Sequence, residues 1–206
     1  MTKPVKKIPM FFHEFKGKTI PDVDLDSYRL VIEGEVERRL ELKLTELETL
    51  VPTIQLQRRF YCVNGWSLEA VWTGFDLGAV LALVQPLPEA PYLRATSVGG
   101  YEDTTRIDHL LNGGAMLVTH MDGEPLTPER GKPVRLMIFD RYQFKGVKAV
   151  ARIEIVKEYR PGAWVKYGYT DATIQPFPHF AVDKGADLMP EPEVLGLDPD
   201  EFIGQQ

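Results

Sequence analysis

Hydrophobic positions along this chain recur mostly with the two-residue period of a strand. Residues 28–33 (YRLVIE) read as one strand, Gly34 as a turn, and residues 35–42 as a second strand. Residues 54–61 (IQLQRRFY) alternate cleanly, with Ile54, Leu56 and Phe60 on one face. This places Cys62 at the end of a strand, just before the turn signal Asn64-Gly65. Further strand-like runs fall at residues 92–98, 115–120, 134–139 and 147–156, separated by Gly-Gly, Asp-Gly and Arg-Gly turns. Helical signals are fewer. Thr45-Glu46-Leu47-Glu48 matches a capping box and predicts a short helix that stops at Pro52. Asp76 predicts a cap for a helix running to about Val84, ended by Pro86 and Pro88. Strands outnumber helices and do not alternate with them, so the fold class expected is strand-rich α+β, not a doubly wound sheet.

The ends of the chain carry less pattern. Residues 1–27 show short apolar clusters without a sustained period, and from Ala181 onward acids and prolines dominate. With 206 residues, the chain is expected to form one domain over residues 1–180, with residues 181–206 an acidic arm or tail. A chain of this length buries about 70% of the surface its unfolded form exposes, enough to fold without disulfides or metal. Deleting residues 181–206 should leave the thermal midpoint nearly unchanged. A large drop would show that the arm is structural. No run of 18 apolar residues occurs, so no membrane-spanning helix is predicted. The first residues include lysines but no apolar stretch of signal-peptide length. A cytoplasmic location is expected for the chain as written, and a periplasmic one if a leader has been removed.

Charge sharpens the picture once it is located. The formal net charge is -6, and residues 181–206 supply all of it, with seven acids against one lysine. The rest of the chain is balanced, yet residues 129–152 hold seven Lys or Arg against two acids. This local excess marks either a solvated basic face or an anion site. No stripe of alternating aromatic and basic residues runs through the chain, so no nucleic-acid partner is expected.

Common chemical motifs fail in turn. Gly17-Lys18-Thr19 imitates the end of a phosphate-binding loop, but Phe12 stands where its first glycine is needed. Neither G-x-G-x-x-G nor G-x-S-x-G occurs. The four histidines (His13, His109, His120, His179) lack metal-ligand spacing. Cys62 is the single cysteine, which excludes an intrachain disulfide and any site built from several thiolates. A lone cysteine is commonly a small core residue. Here Arg58 and Arg59 stand just upstream. Cationic neighbours favour a thiolate, which serves as a nucleophile or as a ligand for a soft metal.

Three segments in register resemble a known family. RRFYCVNGWSLEAVWTGFDLGAVL is similar to the metal-ligand segment of the sulfite-oxidase superfamily of molybdopterin-dependent oxidoreductases. DGEPLTPERGKPVRL resembles its Asn/Asp-Gly, Pro-Leu, Gly-x-Pro-x-Arg stretch, and YQFKGVKAVARIEI its Lys-Gly-(Ile/Val)-Lys segment. The likeness runs from about Phe12 to Tyr169. Within the superfamily it is nearest to the catalytic subunits of bacterial protein-methionine-sulfoxide reductases, whose Tyr-Glu-Phe appears here as His13-Glu14-Phe15.

The resemblance implies a sulfite-oxidase-like molybdopterin-binding fold and a molybdenum–molybdopterin cofactor in its mononucleotide-free form. It implies Cys62 as the thiolate ligand of the metal. Cofactor contacts would fall on His13, Glu14, Ser97, Arg130, Arg135, Lys145, Gly146, Val147 and Lys148, and Tyr101 would be the active-site tyrosine. Ser97 stands where the family has Thr, and Arg130 where it has Asn or His. The implied chemistry is two-electron oxygen-atom transfer, with a separate electron-transfer partner and a monomeric chain. Sulfite oxidases place Arg five residues after the ligand cysteine and again in the Lys-Gly-Val-Lys region; this chain has Ser67 and Lys145 there. A small-molecule or protein-bound S-oxide, or an N-oxide, is therefore the expected substrate, with Trp66 and Trp72 as candidate apolar walls. Sulfite oxidation is the alternative, as is a metal-free module of the same fold that binds a phosphate or pterin.

Overall fold

Among the described residues, strand pairing forms two five-stranded sheets. The computed structural model describes residues 23–61, 67–162 and 165. The first sheet contains β1 (Leu30–Gly34), β2 (Leu40–Leu42), β5 (Tyr92–Ser97), β6 (Glu102–Arg106) and β10 (Val150–Val156), in the order β2-β1-β10-β5-β6. β1 and β10 run parallel and the other pairs antiparallel. Period-two alternation turns Leu30, Ile32, Leu93, Ala95, Ile153 and Ile155 into the larger core. At β6 the inward positions opposite Ala95 and Leu93 are Asp103 and Thr105. A buried carboxylate thus stands on the core side of this edge strand.

The second sheet joins β3 (Thr53–Tyr61), β4 (Ser67–Asp76), β7 (Met116–Met121) and β8 (Glu124–Pro125), with β9 (Arg135–Met137) also paired to β7. β3 and β4 form a hairpin whose last paired residues are Tyr61 and Ser67, so the connection between them carries Cys62. Ile54, Leu56 and Phe60 share a second core cluster with Trp72, Met116, Met121 and Met137, as the alternation predicts. β4 leaves that cluster for the first one across a bulge at Thr73/Gly74, since Phe75 belongs to the larger core. There is no room for a side chain at Gly74, where an added Cβ would lie 2.7 Å from the Val118 Cα. Gly74→Ala should therefore destabilise the fold by roughly 1–3 kcal/mol or more. An unchanged urea midpoint would contradict this packing.

Three short helices complete the described elements: α1 (Leu44–Leu50), α2 (Leu77–Val84) and α3 (Ile107–Asn112). α2 forms where Asp76 predicts it, with the carboxylate accepting from the Ala79 N–H at 2.9 Å. α1 begins earlier than the capping pattern implies: the Glu46 carboxylate reaches back to the Lys43 N–H at 2.7 Å, which makes Lys43 the cap in place of Thr45. The second predicted strand shrinks to Leu40–Leu42 because residues 35–38 bond to the end of α2 and the turn after it instead. Glu37 N–H donates to Gln85 O at 3.1 Å, and Arg38 N–H to Val84 O at 3.2 Å. The predicted run 147–156 yields a strand only from Val150, because Ala149 adopts a positive φ of 47°.

Candidate functional site

The basic segment of the sequence folds around one turn. A 3-10 turn over Pro128–Arg130 ends at Gly131, whose φ of 109° suits glycine. The Thr127 carbonyl accepts from the N–H groups of Arg130, Gly131 and Lys132, each at 3.0 Å. A Cβ on Gly131 would lie 3.0 Å from the Lys148 Cβ and 3.2 Å from the Arg135 Cβ, so both side chains leave the backbone beside this turn. The buried Arg135 guanidinium lies 5.4 Å over the Phe60 ring and donates to the Arg130 carbonyl at 3.4 Å. The Lys148 ammonium donates to the Glu129 carbonyl at 2.6 Å, and Arg130 reaches the Met121 sulfur at 3.4 Å. The Glu129 carboxyl is held below its usual range by the Thr127 side chain first, with Lys148 and Arg130 adding a smaller electrostatic pull.

A second turn packs beside the first. The Ser97 hydroxyl accepts from Gly99 N–H at 3.1 Å and Tyr101 N–H at 3.2 Å, closing residues 97–101. Val98 N–H donates to Ala149 O at 2.9 Å, and Ala149 N–H to Gly131 O at 3.1 Å. Ser97, Tyr101, Arg130, Arg135 and the 145–148 segment are therefore one neighbourhood, as the sequence motifs imply. Cys62, His13, Glu14 and Trp66 lie outside the described residues. β3 still brings the chain to Tyr61, and Arg135 stands over the ring two positions before Cys62. Arg59, expected to act on the thiol, is exposed and paired with Glu69 at 2.9 Å. Among the described residues, Arg135 is the buried cation at that strand end.

Several expected roles change. Tyr101 is buried, and its hydroxyl donates to the Phe144 carbonyl at 2.7 Å. Burial, and secondarily the Asp103 carboxylate, raises its pKa well above that of a free phenol. Its proton is committed to the fold, so it holds the 144–148 segment and is not presented as a donor to substrate. Tyr101→Phe should cost about 1–3 kcal/mol in a denaturant titration, because the Phe144 carbonyl loses its partner. No loss would contradict this hydrogen bond.

Lys145, expected to offer charge to a cofactor phosphate, is fully buried and forms an ion pair with Asp103 while donating to Thr104 O at 2.8 Å. Gly146 lacks a side chain for the fold's own sake: a Cβ would meet Leu136 O at 2.7 Å and the Gln143 amide. The Val147 side chain sits in the larger core, while its carbonyl accepts from Leu136 N–H at 2.8 Å. Trp72 is a core residue, not a substrate wall. It packs on Phe60 at 5.7 Å, and its indole N–H donates to Arg58 O at 2.9 Å. Asp103 is the residue that sequence reasoning missed. The β-branched pair Thr104-Thr105 after a Gly-Gly turn was the available signal for its strand.

The donor set fits molybdopterin. That group carries a phosphate, which suits paired guanidinium donors, and a pterin rich in hydrogen-bonding edges, which suits the backbone of two adjoining turns. Arg130, Arg135 and Lys148 converge at Gly131, with the Lys145 charge already compensated.

Comparison with known families agrees with this chemistry. The model of the oxidoreductase molybdopterin-binding domain matches residues 17–164, most of the chain. The chain belongs to that family. Its fold is likewise similar to a solved structure, the sulfane dehydrogenase SoxCD from Paracoccus pantotrophus, with a TM-score of 0.62 at 21% identity. That match covers 68% of this chain and 40% of the other, so the chain spans well under half the length of this neighbour. The two sheets are thus the sulfite-oxidase-like molybdopterin-binding fold, and the protein is a molybdopterin-dependent oxidoreductase domain.

Proposed function

We propose that this oxidoreductase domain reduces a neutral S-oxide or N-oxide, of the methionine-sulfoxide type, with Cys62 as the thiolate ligand of molybdenum. When bound, the cofactor supplies two-electron oxygen-atom exchange, so that an S-oxide, two electrons and two protons yield a sulfide and water. The chain's own residues bind and orient. Arg135 and Lys148 hold the phosphate of the mononucleotide-free cofactor, and Arg130 adds charge at the exposed rim. The Ser97–Tyr101 turn and the Tyr101 hydroxyl fix the adjoining backbone, so the cofactor meets a preorganised surface. A separate partner delivers the electrons.

The observation that carries the substrate assignment is the buried Lys145–Asp103 pair. A site selecting the sulfite dianion needs uncompensated positive charge in a low-dielectric setting. Here one of the two positions expected to supply it is Ser67, and the other is neutralised. The second reading, oxidation of a sulfur compound such as sulfite, is favoured by the likeness to a sulfane dehydrogenase. Assays of one preparation with an artificial donor and an artificial acceptor separate the two. S-oxide turnover with poor sulfite oxidation is expected; efficient sulfite oxidation at micromolar substrate without S-oxide reduction would overturn the assignment.

A further inference from the structure

The outer side of a sheet's last strand presents backbone donors and acceptors to whatever lies beside it. Three of the four sheet ends are blunted within the chain. β2 is three residues long and carries Glu41, ion-paired with Arg39 at 2.7 Å. β8 has two residues, and on β6 the Thr104 carbonyl accepts from the Lys145 ammonium at 2.8 Å. β3 differs. It is nine residues long, stands first in its sheet, and among the described residues pairs with β4 alone. Its backbone orientation follows from β4. Val71 donates its N–H to the Asp122 carboxylate and accepts from the Asp122 N–H, both at 2.8 Å and both away from β3. Gln57, the register partner of Val71, therefore turns its own N–H and carbonyl away from β4, and the two-residue repeat extends this to Gln55 and Thr53. The Gln57 carbonyl accepts from the guanidinium of its neighbour Arg58 at 3.1 Å. Residues 53–57 (TIQLQ) contain no charge, no proline and no bulge. Thr53, Gln55 and Gln57 are exposed, and Ile54 and Leu56 are only half-buried beside the second core cluster.

We propose that β3 is a self-association edge, to which the β3 of a second copy of this chain adds antiparallel about a two-fold axis at Gln55. The proposal goes beyond the S-oxide reading and does not depend on it; it replaces the monomer that the family resemblance implies. In this register Thr53 stands opposite Gln57 and Gln55 opposite itself, so the three outward-turned residues exchange backbone bonds in both directions. Ile54 meets Leu56 on the face of the second cluster, which extends the burial of both, and the glutamines meet on the other face. Arg58 falls opposite Pro52, so no like charges are brought together. The chain's own residues 181–206 suit this edge less well, because their three prolines cannot donate to a ladder. At about 3.4 Å per residue the two Tyr61 ends lie about 40 Å apart, so neither copy covers the other's connection to Cys62.

The test is sedimentation of the full-length, cofactor-loaded protein over a concentration series from about 1 to 300 µM. Strand pairing buries an area at the low end for specific interfaces, so a reversible dimer with a dissociation constant on the order of 10–100 µM is expected. Gln55→Lys sets two ammonium groups beside the axis and should weaken the dimer by about fivefold, with cofactor content per chain unchanged. Salt at about 1 M, where the screening length is about 3 Å, should recover most of that loss, a reversal that misfolding would not give. Gln55→Pro removes an outward N–H from each copy at a position where an edge strand tolerates proline, and should weaken the dimer at either salt concentration. A parent protein that stays monomeric throughout the series overturns the proposal, as does a dimer that both variants leave intact. Association that arises only after removal of residues 181–206 would assign the edge to that segment and overturns it as well.

Discussion

Cys62→Ser is expected to fold like the parent and to lose redox turnover by more than the roughly 10–100-fold that loss of an outer-shell partner costs a metal site. The exchange is nearly isosteric, so packing changes little, but it replaces a soft thiolate by a hard hydroxyl that keeps its proton at neutral pH. Strand β3 ends at Tyr61, and the buried Arg135 guanidinium stands 5.4 Å over the Phe60 ring, close in sequence to Cys62. Turnover and metal content of the serine variant, read beside a thermal melt, check the prediction. Parent-like turnover would remove Cys62 from the site.

Arg135→Ala is expected to yield folded but cofactor-poor protein. A sheltered charge-assisted contact is worth about 1.5–3 kcal/mol, which corresponds to roughly 10–150-fold in retention. Arg135→Lys should restore little of it, because an ammonium cannot reproduce the planar guanidinium stacked on Phe60. Lys148→Ala should lose less, since Lys148 is only half-buried and its ammonium rests on a carbonyl. Pterin fluorescence and molybdenum content per chain measure the ranking. Full cofactor content in both alanine variants would mean that the basic turn around Gly131 is not the clamp.

Much of the fold is legible where one face of an element is buried throughout. β3 shows its alternation because Ile54, Leu56 and Phe60 all meet one cluster, and α2 shows its start because Asp76 caps it directly. β4 is obscured because it serves two cores: Trp72 faces one and Phe75, an odd number of residues on, faces the other, so apolar residues fall on both faces of the strand. β6 is obscured because its inward residues are Asp103 and Thr105, polar positions that imitate an exposed loop.

The same physics limits the site. The neighbourhood of Ser97, Tyr101, Arg130, Arg135 and Lys148 is legible because short motifs keep their order and spacing. What each side chain does there is not. Whether Lys145 faces a ligand or a carboxylate depends on a strand pairing that brings Asp103 to it, and the Tyr101 proton is spent on the Phe144 carbonyl. Local sequence carries no record of either partner. The consequence is structural: two groups that a linear reading assigns to ligand are engaged by partners within the fold.

Everything proposed for this site depends on a resident molybdenum cofactor held by this chain. The direct measurement is the molybdenum and pterin content of protein freshly purified from a host that assembles molybdopterin. The account predicts about one metal atom and one pterin per chain, both depleted in Arg135→Ala. Folded protein from such a host that carries neither metal nor fluorescent pterin would contradict it, and would leave a binding module of the same fold without redox chemistry.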